Sequence, residues 1–404
     1  MNKKYWTLRY TLLNMTYFAA FCTIHAYAAV YLLAHGFSNT EVGVLLAVAN
    51  IASAICQPYI AGIIDKPGWL TNRRFIIISV AVILAGCVML IFVQNNKMII
   101  FLIYAIIYMI QFAYQPVMTA LCFEYQKAGC DIYYGLARGL GSASFAVVSA
   151  FIGGLVELKG VNLLLFVNVI TMLISIVLIF TFRLPEGGEE NAVLNDEGDV
   201  KGQTQAAHNN IRDFAKTYPA FMLFMLATVC FYFAHNMIND FMIQIIRSLG
   251  GSETQLGYAN FLQAILELPV MALIVYVFKK ISAGRLLVFS GVAFFVKILI
   301  LVFATDMLMM YVSQSFQLFA YAVYIPAAAY YVSQTMEELD QVKGQAYVTS
   351  AITLGGVFSN LISGVILDHL GIKFMLVTGT TVCAVGVVIA YIAMNKLPHH
   401  TTGN

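Results

Sequence analysis

Long apolar runs follow one another along nearly the whole chain, separated by short polar breaks. No other feature restricts the fold as much. A helix needs about 20 apolar residues to cross the hydrocarbon core of a bilayer. Backbone polar groups inside lipid must bond internally, so runs of this length are helices. Twelve spans are expected, near 7–34, 40–64, 73–94, 98–124, 134–157, 161–183, 218–248, 253–279, 285–304, 307–335, 342–368 and 372–395. Only 10% of the 404 residues are charged, against about 25% in a typical soluble domain. A water-facing surface would need more. The expected fold class is an all-α membrane protein in which 12 transmembrane helices form two six-helix, pseudo-symmetric bundles.

The division into halves rests on composition and on an internal repeat. The longest polar stretch, 184–217, is rich in Gly, Asn, Asp and Glu, and reads as a cytoplasmic linker. It separates an N-terminal bundle, 1–183, from a C-terminal bundle, 218–404. GGLVELKGVNL at 153–163 is echoed by GVILDHLGIKF at 364–374, and TEVG at 40–43 by TQLG at 254–257. Parallel repeats of this kind are a transporter architecture, with the solute site near the bilayer midplane between the repeats. The basic residues set an orientation. Sixteen fall on the side that holds both termini and the linker, whereas Lys97, Lys159, Arg247 and Lys373 fall on the other. Both termini are therefore expected in the cytoplasm, with the chain a multi-pass protein of a bacterial inner membrane. The basic N-terminal stretch runs into an apolar segment too long for a cleaved signal, so it is read as an uncleaved first span.

Several functions are disfavoured by what the sequence lacks. It has no nucleotide-binding loop, no Cys/His cluster with metal spacing and no basic helical pattern for nucleic acid. The seven cysteines lie mostly within apolar runs and read as small fillers. No enzyme activity, catalytic residue, metal or cofactor is expected, and the energy source would be a proton gradient. The expected partners are a small polar solute, protons and the lipid bilayer, with the protein acting as a monomer.

Ionisable residues inside a membrane are costly, so each is a functional candidate. Glu267, midway along span eight, suits proton carriage or solute hydrogen bonding, or else partners a buried cation. Lys297 interrupts the apolar run of span nine and needs a partner, for which Glu267 is the candidate; snorkelling to the interface is the alternative. Arg138, among the glycines of YYGLARGLGS, offers a planar fork for a carboxylate or for sugar hydroxyls, or snorkels to lipid phosphate. Phe145 lies seven residues further along the same helical face and can stack on a ring. In span seven, His235 and Asn239 share one face at i, i+4, and Asn236 and Asp240 share the next. These four bind solute or hold helices together, and Asp240 is a second titratable group. Gln314, Gln317, Tyr321 and Tyr324 form a stripe in span ten, a polar wall or aromatic packing. His25 and Tyr27 in span one can line a cavity, although a lone histidine there is more often structural. Glu124 reads as a solvated edge residue.

Taken together, these residues resemble the lactose permease-like branch of the major facilitator superfamily, the oligosaccharide:proton symporters. CQPYIAGIIDK at 56–66 is similar to the stretch that closes helix two there, which makes Asp65 and Lys66 part of a gating loop. YGLARGLGSASF at 134–145 matches the segment with the sugar-binding arginine, placing Arg138 there and Phe145 on the stacking position. GYANFLQAILEL at 257–268 matches the segment whose glutamate binds sugar, placing Glu267 there and Gln263 one turn before it. Lys297 falls on a cavity arginine. Thr119, Tyr321 and Tyr324 stand where that branch keeps an acid, a histidine and the proton-carrying glutamate. Proton coupling then falls to Glu267 or Asp240. The resemblance implies a major facilitator fold and alternating-access, proton-coupled uptake of a sugar or glycoside. Nucleoside:proton symport and multidrug or solute efflux are the alternatives; a membrane sensor that kept the fold is a more distant one.

Overall fold

The computed structural model describes residues 5–64, 66, 68–184 and 211–396, and every regular element among them is helical. The chain divides into two compact units, Met1–Phe37 with Val48–Gln203, and Ser38–Ala47 with Thr204–Asn404. Nine helices among the described residues are long and apolar enough to cross a membrane, or ten if one bent pair counts as a single span. Of the two other positions where a span is expected, one holds a helix of 26 residues, Glu253–Phe278, and the other holds a broken helix pair. Large apolar side chains such as Phe92, Phe151, Leu158 and Ile170 are exposed on the helix flanks. Leaving such a side chain in water forgoes about 1.5–3 kcal/mol, a cost that lipid removes.

The first unit opens with α1 (Tyr5–Phe21), a π-type turn (Cys22–Ala26) and α2 (Ala28–Ala34), which bends by 49° from the segment before it. The bend is tied down by side chains from other helices. The Tyr104 hydroxyl, from α5 (Lys97–Lys127), donates to the Ile24 carbonyl at 2.6 Å. Asn168, buried on α7 (Asn162–Thr181), donates to the Ala20 carbonyl at 3.0 Å and to the Thr23 hydroxyl at 2.9 Å. A widened turn frees carbonyls from the i→i−4 ladder, and these donors satisfy them. Asn168→Leu should therefore destabilise the protein by about 1–3 kcal/mol, the cost of orphaned buried polar groups. The loss would appear as a lower unfolding midpoint of the purified protein; an unchanged midpoint would remove Asn168 from this role. The unit is completed by α3 (Asn39–Ile64) from Val48 onward, α4 (Asn72–Phe92) and α6 (Tyr134–Lys159).

After residue 210 the chain forms α8 (Ile211–Thr217), inside the stretch read as linker, with Phe214 buried. The second unit continues through α9 (Pro219–Asp240), α10 (Met242–Ser248), α11 (Glu253–Phe278) and α12 (Ala283–Val302). It ends with α13 (Met307–Ser315), a 3-10 turn (Phe316–Leu318), α14 (Tyr321–Thr335), α15 (Glu338–His369) and α16 (Ile372–Lys396).

The backbone carries the internal repeat further than the letters do. Gly36 and Gly250, 214 residues apart, both have φ 78°, a left-handed conformation that glycine adopts without cost. Tyr27 (φ −112°, ψ 15°) and Phe241 (φ −113°, ψ 25°), with the same separation, both break a helix. TEVG and TQLG share that separation. Each half thus interrupts its first span at the same place.

Candidate functional site

The broken span of the second unit organises a polar cluster. The 3-10 turn interrupts the run between α13 and α14, and Ala320 leaves helical geometry with φ −84° and ψ −91°. Gln317 lies within this break, buried. On α11, Pro269 removes one backbone donor two residues after Glu267, which frees a carbonyl of that helix. Lys297, on α12, is fully buried. Its ammonium donates to Gln317 Oε1 at 2.7 Å and to Gln263 Oε1 at 3.4 Å. The Gln317 amide nitrogen then donates to Glu267 Oε1 at 2.9 Å.

The expected Lys297–Glu267 partnership is therefore bridged. Gln317 stands between cation and carboxylate, and an amide is well suited to that place because it shows an acceptor to one and a donor to the other. The bridge also settles how the amide is oriented. A buried ammonium costs several kcal/mol unless acceptors surround it, and the oxygens of Gln317 and Gln263 do so here. The stripe in span ten is corrected too. The turn at 316–318 breaks its helical spacing, so its four residues do different things. Gln314 is buried near the Met310 sulfur, Gln317 bridges charges, Tyr321 stacks, and the Tyr324 hydroxyl pairs with that of Thr228 at 2.7 Å.

A second group on α9 borders this cluster. His235 Nε2 and the Asn239 amide nitrogen are 2.9 Å apart, as their i, i+4 spacing anticipates. The His235 ring stacks on Tyr321 with centroids 5.4 Å apart and planes 20° apart. Phe294, one turn before Lys297 on α12, meets the same imidazole edge-on at 5.5 Å. Aromatic faces and amide edges thus adjoin the Lys297–Gln317–Glu267 chain. Asn236 packs elsewhere, with its amide nitrogen 2.8 Å from where a side chain on Gly356 would begin. Asp240 is the last residue of α9 and half-buried.

The first unit holds the other candidates. Arg138, on α6, donates to the Ser142 hydroxyl at 2.6 Å and lies 4.3 Å over the ring of Phe18. Phe145 on the same helix sits 6.5 Å from Phe21, so both residues face α1. Tyr27 is buried and donates to the Ser149 carbonyl at 3.2 Å, holding the bend of span one. His25 lies in the π-type turn, stacked 3.8 Å from Phe21 and meeting Phe112 edge-on at 4.5 Å. The Glu124 carboxylate accepts from the Asn72 amide at 2.8 Å. Lys66 is exposed in a bend, while Asp65 lies outside the described residues.

Sequence reasoning named all the charged members of the cluster and missed two things. It did not assign Gln317 the bridging place, because the stripe read as one continuous helix. It did not see the π-type turn of span one, for which the letters hold no signal. Pro326 was visible, but it lies after the break in span ten and does not cause it.

The comparisons place the whole architecture. No curated protein matches the chain. Three solved structures resemble it in fold. The nucleoside transporter NupG superposes with a TM-score of 0.80 at 14% identity, covering 98% of this chain and 100% of the other. An auto-inhibited POT family peptide transporter gives 0.74 at 9% identity, with 100% and 99% covered. A bacterial homologue of the human lysosomal transporter Spinster, inward-facing and unoccupied, gives 0.67 at 12% identity, with 97% of each chain covered. The family model described as "MFS_1 like family" matches residues 5–378. With helices of membrane-spanning length and a family match over most of its residues, this chain belongs to the MFS_1-like family of major facilitator transporters.

Proposed function

We propose that this protein carries a small polar solute across the membrane by alternating access, coupled to protons, and that the solute is a nucleoside. The carrying observation is the buried Lys297–Gln317–Glu267 chain beside the stacked His235–Tyr321 pair. A nucleoside has a planar base and a hydroxyl-bearing ring. The base fits aromatic faces, which stack favourably, and the ribose hydroxyls fit Gln263, Asn239 and the carboxylate of Glu267. The resemblance of the fold to a nucleoside transporter supports the same reading. Tyr27, whose hydroxyl donates to the Ser149 carbonyl, would hold the bend on which span one turns. Glu267 would carry the proton, with Asp240 as a second titratable group.

A sugar or glycoside is the second reading. The Arg138 guanidinium lies over Phe18 with one nitrogen on the Ser142 hydroxyl, a combination of donors and ring that suits a pyranose. Proteoliposomes with an imposed pH gradient separate the two. Labelled uridine should accumulate, and unlabelled adenosine, but not methyl galactoside, should compete. Accumulation of the galactoside alone would favour the sugar, and uptake indifferent to the pH gradient would remove proton coupling.

A further inference from the structure

Within the second unit, α9 and α15 run side by side in the same direction. A side chain on Gly355 would begin 2.7 Å from the Val229 carbonyl, and one on Gly356 would begin 2.8 Å from the Asn236 amide nitrogen. One turn further along both helices, Asn236 is followed by Asp240 and Gly356 by Asn360, each at i, i+4. The Asn360 side chain is accordingly within reach of the Asp240 carboxylate. The part of α3 that belongs to the same unit closes on this place too. A side chain on Gly43 would collide with the Asn360 carbonyl.

The packing encloses polar groups that it does not satisfy. Ser359, Asn360 and Ser363 are fully buried. Neither hydroxyl, and neither atom of the Asn360 amide, makes a hydrogen bond of regular geometry. A serine within a helix can return its hydroxyl to a carbonyl one turn back. Ser350 of α15 does so to Ala346 at 2.9 Å, whereas Ser359 and Ser363 do not. Buried polar groups are nearly always paired, so three together on one stretch of helix point to a ligand. Its sign follows from the surroundings. Among the described residues no basic side chain pairs with Asp240. α9 also stops at Asp240, where Phe241 leaves helical geometry with φ −113° and ψ 25°. The negative end of the helix dipole therefore lies at the same point.

We propose that Asp240, Asn360, Ser359 and Ser363 form a sodium site between α9 and α15. A carboxylate, an amide oxygen and two hydroxyls are hard oxygen donors, the set that a hard cation selects. One carboxylate neutralises one monovalent charge, whereas a divalent ion would leave a buried net charge. The glycine contacts hold the helices close, which favours sodium over the larger potassium ion. The site shares no residue with the Lys297–Gln317–Glu267 chain, and it stands without the transport reading.

Binding of radioactive sodium to the purified protein tests it. Wild type should bind the ion saturably, and excess unlabelled NaCl, but not KCl, should displace it. Asp240→Asn should reduce binding to background. Asn360→Ala, which keeps the carboxylate, should weaken it about tenfold or more. Glu267→Gln should bind as wild type does. NaCl should also raise the unfolding midpoint of wild type above its value in KCl of equal ionic strength, because a ligand of the folded state stabilises it. Asn360→Ala should need about tenfold more NaCl for the same rise, a result that holds the test open should Asp240→Asn fail to fold. Absence of saturable binding, equal displacement by KCl, or full binding in Asn360→Ala overturns the site. Binding lost in Glu267→Gln but kept in Asp240→Asn overturns it as well. A protein that binds sodium in this way but moves no uridine would refute the nucleoside reading alone.

Discussion

Glu267→Gln should abolish proton-driven accumulation while leaving the protein folded and able to exchange solute. The glutamine keeps the size of the side chain and still offers an oxygen to the Gln317 amide, which donates to Glu267 at 2.9 Å. It cannot take up or release a proton. A gradient of one pH unit is worth about 1.4 kcal/mol per proton, so a one-proton carrier should concentrate its solute roughly tenfold per unit. In Glu267→Gln the accumulation ratio should collapse to about 1 at every gradient. Counterflow, in which labelled solute exchanges for unlabelled without net proton movement, should persist. Concentrative uptake that survived the substitution would end the proposal that Glu267 carries the proton. Loss of counterflow as well would mean that the carboxylate serves solute binding first.

The second large effect is expected at Gln317. Gln317→Leu removes the oxygen that Lys297 reaches at 2.7 Å and the donor on Glu267 in one step. Lys297 is fully buried, so its ammonium would keep only the longer contact to Gln263. Two charge-assisted bonds are lost and a buried charge is left under-partnered, which should cost about 3–5 kcal/mol. The unfolding midpoint of the purified protein should fall accordingly. Adding Lys297→Met removes the stranded charge and should restore about 2 kcal/mol, within the range of coupling energies between residues in contact. Costs that simply add would show that Gln317 matters only through its packing, and the bridge would be a bystander.

The helical class, most of the long apolar helices and the ionisable residues within them were legible in the letters. Apolar length is a local property, and the rarity of ionisable groups in lipid makes Lys297 and Glu267 conspicuous without an alignment. The i, i+4 relation of His235 and Asn239 was legible for the same local reason, and their 2.9 Å contact follows from it. The repeat was faint as sequence, two short echoes, but firm as backbone, with breaks at Tyr27 and Phe241 and left-handed glycines at 36 and 250.

What stayed hidden depends on where helices stop being regular and on which helices meet. The 3-10 turn at Phe316–Leu318 turns Gln317 into a bridge, yet no proline or glycine marks it. The π-type turn at Cys22–Ala26 is held by Tyr104 and Asn168 from other helices. Asp368 was already visible as the acid of GVILDHLGIKF, the copy that echoes 153–163, but nothing in its surroundings along the chain says that its oxygens reach the amides of residues 39 and 40. The sequence by itself determined that this chain lives in a membrane as paired sets of helices with few internal charges, because hydrophobic length and the cost of buried charge act on each segment separately. Only the tertiary structure decided which charges share a bridge and which helix end is clamped, because a hydrogen bond forms over about 3 Å of space between groups that the chain keeps tens to hundreds of residues apart.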